Sequence, residues 1–570
     1  MDTATATSPQ TTTTAGSSPP VPTGKGSRVE GTLRPPPPRN ETVLDYAPGS
    51  RERRELKAVL ERMSGEEIEI PVIVGGEEMR TAEVREVVMP HDHGHVLARC
   101  HQVGAAEVAA AVEAAREGWS EWSSWGWEDR VAVFLRAAEL LAGPWRATVN
   151  AATMLGQSKT VHQAEIDSAC ELADFWRFNC HYAARIYEEQ PESAAGMWNR
   201  LDHRSLEGFV YAISPFNFSS IAGNLPTAPA IMGNVTLWKP AAVSVLSSYY
   251  IMRLLEAAGL PPGVINFIPG PSSAISRSIV ASPELAGIHF TGSTEVFRLL
   301  WRAVAENLEA YRSYPRLVGE TGGKDFIVAH RSADPEALAV AIGRGAFEYQ
   351  GQKCSAASRV YVPENLWPDV RERVLEMVAE IRVGDPADFR NFMAAVIDRA
   401  AFEKITSYID HARESEADEI LAGGGSSAER GWFIDPTVVV TEDPGDRLMR
   451  EEIFGPVVTI YPYRTADWEE TLRLVNETSP YGLTGAVFAT DRSAIRQATA
   501  LLRHAAGNFY INDKPTGAVV GQQPFGGGRA SGTNDKAGSA LNLLRWVSPR
   551  TIKETFDPPR EWRYPFMEGE

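Results

Sequence analysis

Cysteine is scarce in this chain: Cys100, Cys170, Cys180 and Cys354 are the only four in 570 residues. So few thiols, so far apart, rule out a disulfide framework and a Cys-x-x-Cys metal knuckle or redox motif. They suit a reducing compartment. Long apolar runs are missing as well, and none reaches the roughly 18–20 residues that span a bilayer. The N-terminal stretch has no basic region followed by an apolar core, so a secretory signal is not expected. It also has no arginine before Arg28, which speaks against a mitochondrial transit segment. Basic excess is lacking too. Fifty-six Lys and Arg face 74 Asp and Glu, a net charge of −18, with no basic stripe. Nucleic acid and anionic membrane surfaces are therefore not expected as partners, and acidity alone says nothing about the substrate.

Apolar residues, in contrast, make up 43% of the chain, enough for two large domains. Residues 1–40 are dominated by Thr, Ala, Ser, Gly and Pro and end in the run Pro35–Pro38. Such a composition cannot offset its ordering entropy, so a disordered extension is predicted there. Between about 209 and 320, short apolar runs alternate with helical patterns. Phe209–Ile213, Val235–Lys239, Ile265–Ile268 and Ile288–Phe290 read as strands, and Val245–Ala258 and Ser272–Ala281 as helices. That alternation implies βαβ units and a parallel sheet, the architecture that commonly holds nucleotides. A second α/β region follows a boundary near Glu320. Its predicted strands are Phe326–Ala329, Ser358–Val362, Val457–Tyr461, Leu483–Phe488 and Asn508–Ile511, with a long helix over Pro335–Tyr349.

Several segments carry chemistry, and each also has a plain structural reading. Cys354 sits in Gln350-Gly351-Gln352-Lys353-Cys354-Ser355, between a helix and a strand, among small and polar neighbours. It is a reactive thiol or an ordinary cysteine; a nucleophile there needs a base or local positive potential. Glu320 ends an apolar strand and enters the glycine-rich turn Thr321-Gly322-Gly323, as a ligand-facing carboxylate or a solvated acid. Asn217, in Ser214-Pro215-Phe216-Asn217-Phe218, is an oxyanion donor or a turn asparagine. Gly292-Ser293 opens a helix, as a pyrophosphate site or an N-cap. Lys239 ends a strand of the same sheet, and Glu452 with Phe454 precedes a Gly-Pro turn; both suit ribose hydroxyls or open solvent. Taken together, a thiol, an amide donor, a carboxylate and a dinucleotide-type sheet fit one reaction class. Cysteine adds to an aldehyde, hydride leaves to a nicotinamide, and water activated by a carboxylate hydrolyses the thioester.

With Asn217, Lys239, Ser293, Glu320, Cys354 and Glu452 in that order, residues from about 40 to 565 resemble the aldehyde dehydrogenase superfamily. Within it the chain is most similar to the Δ1-pyrroline-5-carboxylate dehydrogenase family. Ala212–Phe218 (AISPFNF), Ala346–Ala356 (AFEYQGQKCSA) and Ala506–Gly532 (AGNFYINDKPTGAVVGQQPFGGGRASG) carry the match. The resemblance implies an α/β fold: a Rossmann-type NAD-binding domain over 41–188 and 205–320, and an α/β catalytic domain over 321–530. A small β oligomerisation element over 189–204 and 535–565 completes it, giving a homodimer or larger homo-oligomer. It implies NAD as cofactor, no metal, and oxidation of L-glutamate γ-semialdehyde to glutamate in the second step of proline catabolism. Succinic semialdehyde is the alternative substrate. The implied compartment is the cytoplasm, or the mitochondrial matrix for a eukaryotic source.

Residue by residue, Cys354 matches the nucleophile, Asn217 the oxyanion donor and Glu320 the deacylation base. Ser214, Phe216, Lys239, Gly292, Ser293, Glu452 and Phe454 match the coenzyme site. Phe216 and Phe525 match the aromatics flanking the aldehyde chain. Ser355, Gly517 and Ala518 match the loop that anchors the substrate carboxylate. Glu165 matches a position near the substrate tunnel, as a partner for the substrate ammonium or as a solvated helix residue. Ala242 departs from the glutamate that many members carry three residues after the strand-end lysine, so one ribose hydrogen bond is lacking. Ala518 replaces a serine of some relatives, so only its backbone donor remains. His91, His93 and His95 alternate but have no evident acidic or cysteine partner, and no metal is expected there.

Overall fold

A computed structural model describes residues 31–569. The chain divides into a unit ending at Leu33 and one from Arg34 onward, and everything below concerns the latter. Most of the predicted extension, residues 1–30, lies outside the described residues. Residues 34–40 carry no helix or strand, but Asn40 is already part of the folded body. Its Nδ2 donates to Asp174 Oδ2 and to the Val520 carbonyl, both at 2.8 Å.

Two seven-stranded sheets organise the protein. In the first, Arg316–Glu320, Leu285–Thr291, Phe209–Ile213, Val235–Lys239 and Ile265–Phe267 run parallel in that order. Val72–Val74 and Glu77–Met79 extend it as an antiparallel edge. Phe209–Ile213 and Val235–Lys239 are buried at all five positions, as strands covered on both faces must be. The second sheet sets Thr437–Thr441, Val457–Tyr463, Ala357–Pro363, Asp325–Ala329, Thr484–Phe488 and Asn508–Ile511 in parallel, with Asp418–Ala422 antiparallel at one edge. Glu320 and Asp325 are thus the last and first residues of strands in different sheets. The short turn between them joins the two halves.

The first core runs from Tyr46 to Val318, and then takes in Leu543, Trp546 and Val547 from near the C-terminus. Asn234 Nδ2 donates to the Trp546 carbonyl at 2.8 Å, and the Trp546 ring packs 4.8 Å from that of His289. This differs from the single oligomerisation element predicted over 535–565. Residues 540–547 complete the first core because Trp546 is too large an apolar surface to leave in water. Only Ser548–Thr555 forms a separate ribbon, antiparallel to Met197–Arg204. Among the described residues no helix is long and apolar enough to cross a membrane.

Candidate active site

Helix Pro335–Phe347 leads into the turn that carries Cys354, the nucleophile the sequence predicts. Asp334 caps it, accepting from the Glu336 and Ala337 N–H groups, and Pro335 occupies its first turn. The helix stops two residues short of the predicted Tyr349 because Tyr349, Gln350 and Gly351 are left-handed, with φ of 52°, 54° and 65°. Gly351 has no substitute: an added Cβ would lie 2.1 Å from the Gly455 carbonyl oxygen. Gln350 Nε2 donates to the Ser158 carbonyl (3.0 Å) and the Ala395 carbonyl (2.7 Å), and Gln352 Oε1 accepts from Ile397 N–H (2.9 Å). Cys354 is therefore presented, half-buried, on a turn held from three directions. Buried Asn217 belongs to the same assembly. Its Nδ2 donates to the Gln352 carbonyl at 3.0 Å, and its second N–H has no acceptor among the described residues.

Glu320 closes on the site from the first sheet. Its backbone carbonyl accepts from Gly292 N–H (3.2 Å), and the next residue, Thr321, donates to the Ser531 carbonyl (2.8 Å). Its carboxylate accepts from Gly527 N–H at 3.0 Å. Glu452 Oε1 accepts from Gly323 N–H at 2.9 Å. A Cβ on Gly323 would stand 2.3 Å from both the Cys354 carbonyl oxygen and Asp325 Oδ2, so the glycine turn, Asp325 and the nucleophile loop are in direct contact. Asp325 Oδ1 accepts from Thr484 N–H at 2.6 Å, whereas Oδ2 is buried without a partner.

Three carboxyl groups thus surround one thiol. Burial, and then the charges of Asp325, Glu452 and Glu320, push the Cys354 thiol well above its ordinary range. Burial likewise raises Asp325 to about 8, and raises Glu452 and Glu320. Cys354 therefore rests as the thiol, next to Asp325, whose carboxyl exchanges its proton near neutrality.

The coenzyme candidates line the carboxyl ends of the first sheet, where doubly wound folds bind nucleotides. Lys239 is 4% exposed, and its ammonium has a single hydrogen bond, to the Pro240 carbonyl at 3.2 Å. Burial lowers it to about 8. A buried cation with donors to spare fits ribose hydroxyls. Ser293 Oγ accepts from Val296 N–H at 3.3 Å as the N-cap of helix Thr294–Glu306, and Ser214 Oγ accepts from Trp238 Nε1 at 3.0 Å. Phe454, left-handed at φ 61°, sets its ring 5.8 Å from Phe216 and edge-on to it.

The expected carboxylate anchor also converges on the nucleophile. Ser355 Oγ and Thr516 Oγ1 are 2.8 Å apart and both buried. Thr516 leads into Gly517, whose φ of 93° no other residue adopts cheaply, and then Ala518. The protein leaves room around Gly517, the nearest contact of an added Cβ being Lys514 Nζ at 3.5 Å. Lys514 is not singled out by the sequence pattern. Phe525 exchanges backbone hydrogen bonds with Ala537 at 3.0 and 2.8 Å.

Glu165 does not serve the substrate. It is fully buried and saturated by Arg146, Asn150 Nδ2 (2.8 Å), Tyr46 Oη (2.8 Å) and Leu44 N–H (2.9 Å). A carboxylate with its lone pairs taken holds the chain start onto the body and has nothing left for a ligand. Glu171, six residues on, is not singled out by the sequence pattern. It is half-buried in the π-helical turn Glu165–Glu171, and burial together with neighbouring Asp167 raises its carboxyl to about 8. Its signal was present in the same acidic segment. The three alternating histidines part company: His91 contacts Ser158, His93 the Ala428 carbonyl and His95 the Ser64 carbonyl.

Comparison with known proteins gives a consistent result. The model of the aldehyde dehydrogenase family matches residues 78–552. A mitochondrial Δ1-pyrroline-5-carboxylate dehydrogenase of Dictyostelium discoideum is 52% identical over 93% of this chain and 96% of its own. The human mitochondrial protein of that name is 50% identical over 93% and 94%. The NAD-bound crystal structure of the Mycobacterium tuberculosis Δ-pyrroline-5-carboxylate dehydrogenase superposes with a TM-score of 0.92 at 52% identity, over 95% of this chain and all of that one. A Thermus 1-pyrroline-5-carboxylate dehydrogenase with bound NAD gives 0.86 at 32% identity, over 92% of this chain and all of that one.

Proposed function

The chain belongs to the aldehyde dehydrogenase family, and from that premise we infer the reaction it catalyses. It oxidises L-glutamate γ-semialdehyde, the hydrolysed form of 1-pyrroline-5-carboxylate, to L-glutamate with NAD, the second step of proline catabolism. One observation carries the substrate to this pocket: the Ser355–Thr516 contact at 2.8 Å puts the Gly517–Ala518 anchor beside the residue that follows the nucleophile.

Cys354 gives its proton to water and its sulfur adds to the aldehyde carbon, giving the oxyanion of a thiohemiacetal. Asn217 Nδ2–H and a backbone N–H stabilise the oxyanion, worth about 10²–10³ in rate for a single donor. Bound NAD supplies the hydride acceptor. Glu320 then takes a proton from water, whose oxygen attacks the thioester and releases the new carboxylate and the Cys354 thiol. Lys239 holds the adenosine ribose, Gly292 and Ser293 the pyrophosphate, and Glu452 and Phe454 the nicotinamide ribose, with Ser214 and Phe216 shaping the cleft. Ser355 and the Gly517 and Ala518 N–H groups hold the substrate carboxylate, and Phe216 and Phe525 flank its chain. Backbone donors suit a carboxylate without requiring a basic side chain.

Steady-state kinetics on Gly517→Val test the assignment. A valine at φ 93° distorts the anchor, so KM for the semialdehyde rises at least about tenfold, the cost of one charged hydrogen bond. Oxidation of propanal, which has no carboxylate, stays near wild type. A proportional loss on both substrates would reduce the assignment to general aldehyde oxidation.

The chain also assembles with itself in this reading. The ribbon Met197–Arg204/Ser548–Thr555 and the residues after it expose Trp198 (51%), Phe556 (64%), Trp562 (70%) and Phe566 (83%). So much aromatic surface on one projecting element calls for a partner copy. Light scattering that shows a monomer at micromolar concentration would rule this out. The compartment we propose is the cytoplasm, or the mitochondrial matrix for a eukaryotic source.

A further inference from the structure

Lys536 has no role in the scheme above, yet every proton of its half-buried ammonium is engaged close to Glu320. It donates to the Gly507 carbonyl at 2.8 Å, the Gly526 carbonyl at 3.1 Å and Asn508 Oδ1 at 3.4 Å. Asn508 Oδ1 also accepts from Gly526 N–H at 3.2 Å, so Gly526 is held at both its carbonyl and its N–H. The next residue is Gly527, whose N–H holds the Glu320 carboxylate at 3.0 Å. The carboxylate lies against this turn: a Cβ on Gly526 would come 2.9 Å from Glu320 Oε1, 3.2 Å from Asn534 Oδ1 and 3.3 Å from the Lys536 backbone nitrogen. Asn534 and Lys536 pay for the arrangement with left-handed backbones, φ 56° and 53°. Non-glycine residues keep such conformations where their surroundings over-determine them, and these cluster at functional sites.

We propose that Lys536 is a positioning residue for the hydrolytic step: it fixes the Gly526–Gly527 turn that holds Glu320, and it supplies the cation that favours the carboxylate form of that base. This rests on Glu320 being the base for thioester hydrolysis. The charged and titratable groups facing Glu320 are Lys536, Asp535 and Cys354. Burial raises Glu320, the Gly527 N–H and Lys536 pull it back, and Asp535 pushes it up again. Asp535 is itself tied to Thr533 Oγ1 at 2.5 Å and faces Arg545 at 3.4 Å. Without Lys536 the balance shifts toward the protonated acid, which cannot take a proton from water.

The test is Lys536→Met, followed by the pH dependence of kcat and by rapid mixing. Hydrolysis rises as Glu320 loses its proton, so the acid limb of kcat moves to higher pH by about one unit, a typical effect of losing one nearby opposite charge. Below that limb the variant is about tenfold slower in steady state. Its first turnover of NADH keeps the wild-type rate, so a burst appears. Lys536→Arg, which retains charge and donors, returns the limb toward wild type. An unmoved limb, with first and later turnovers slowed equally, would overturn the proposal. If Lys536→Met is not recovered folded, Lys536→Gln retains two donors without the charge, and its limb must move or the proposal fails. Glu320→Gln separates the two readings. A burst in Glu320→Gln with an unmoved limb in Lys536→Met removes only Lys536. The absence of a burst in Glu320→Gln, with the first turnover equally slow, removes Glu320 as the hydrolytic base.

Discussion

The two sheets have the same number of strands and opposite backbone habits in their loops. Between residues 209 and 320, no described non-glycine residue has a left-handed backbone. Ser293 caps a helix there and Ser214 satisfies an indole, as they would in any α/β protein. In the second half, Tyr349, Gln350, Phe454, Asn512, Arg529, Asn534 and Lys536 all have positive φ. Each such residue costs about 1–3 kcal/mol. In the proposed reaction the first half would hold a coenzyme that must leave after every turnover, and ordinary strand ends with helix N-termini would suffice for it. The second half carries Cys354, Asp325 and Glu452 and meets Asn217 and Glu320 from the first, and its loops carry the strained backbones.

The comparison is broken most sharply at Cys354. Cys354→Ser should abolish aldehyde oxidation while NAD binding, followed by fluorescence titration, stays near wild type, because a serine hydroxyl without a strong base is a far weaker nucleophile. Turnover near wild type would overturn the mechanism. Asn217→Ala should lower kcat by about 10²–10³. A change confined to KM would make Asn217 a substrate-positioning residue instead. Asp325→Asn removes the nearest-ranked negative charge from the thiol. The sign is downward: thiolate forms more easily, so the pH midpoint of Cys354 alkylation by iodoacetamide falls by about one unit. A rise or no change would place the Asp325 charge elsewhere. The smallest effect is expected at the unstrained strand ends between residues 209 and 320. Lys239→Ala should raise KM for NAD about tenfold, the weight of one charged hydrogen bond, with kcat little altered. A large fall in kcat would show that the two halves are not separable in this way.

Much of this was legible beforehand. Phe209–Ile213, Val235–Lys239 and Asn508–Ile511 are strands at the predicted boundaries, because short β-branched and aromatic runs between turn residues have few alternatives. The helix into Cys354 was read two residues too long, since neither Tyr349 nor Gln350 announces a left-handed turn. Strands and helices before residue 188 went unassigned, as their apolar positions are diluted by alanine. The burial of Glu165, read from sequence as a substrate partner or a solvated helix residue, was hidden for a definite reason. Residues 165–171 form a π-helical turn, which adds one residue to the repeat and redirects every following side chain. Periodicity read at 3.6 residues could not find which acid the bulge turns inward. Lys536 was invisible for a related reason, because its importance lies in three acceptors brought together only by the turn at Gly526–Gly527.

The return of Trp546 to the first core also bears on how the protein is made. Domains usually fold as the ribosome releases them, N-terminal first. Here the surface around Asn234, Gly287 and His289 stays uncovered until residues 540–547 have emerged. The nucleotide half, although encoded first, is the last to be sealed. A nascent chain stalled before residue 540 therefore presents an open apolar face to chaperones, and newly made protein gains its full resistance to proteolysis only after release.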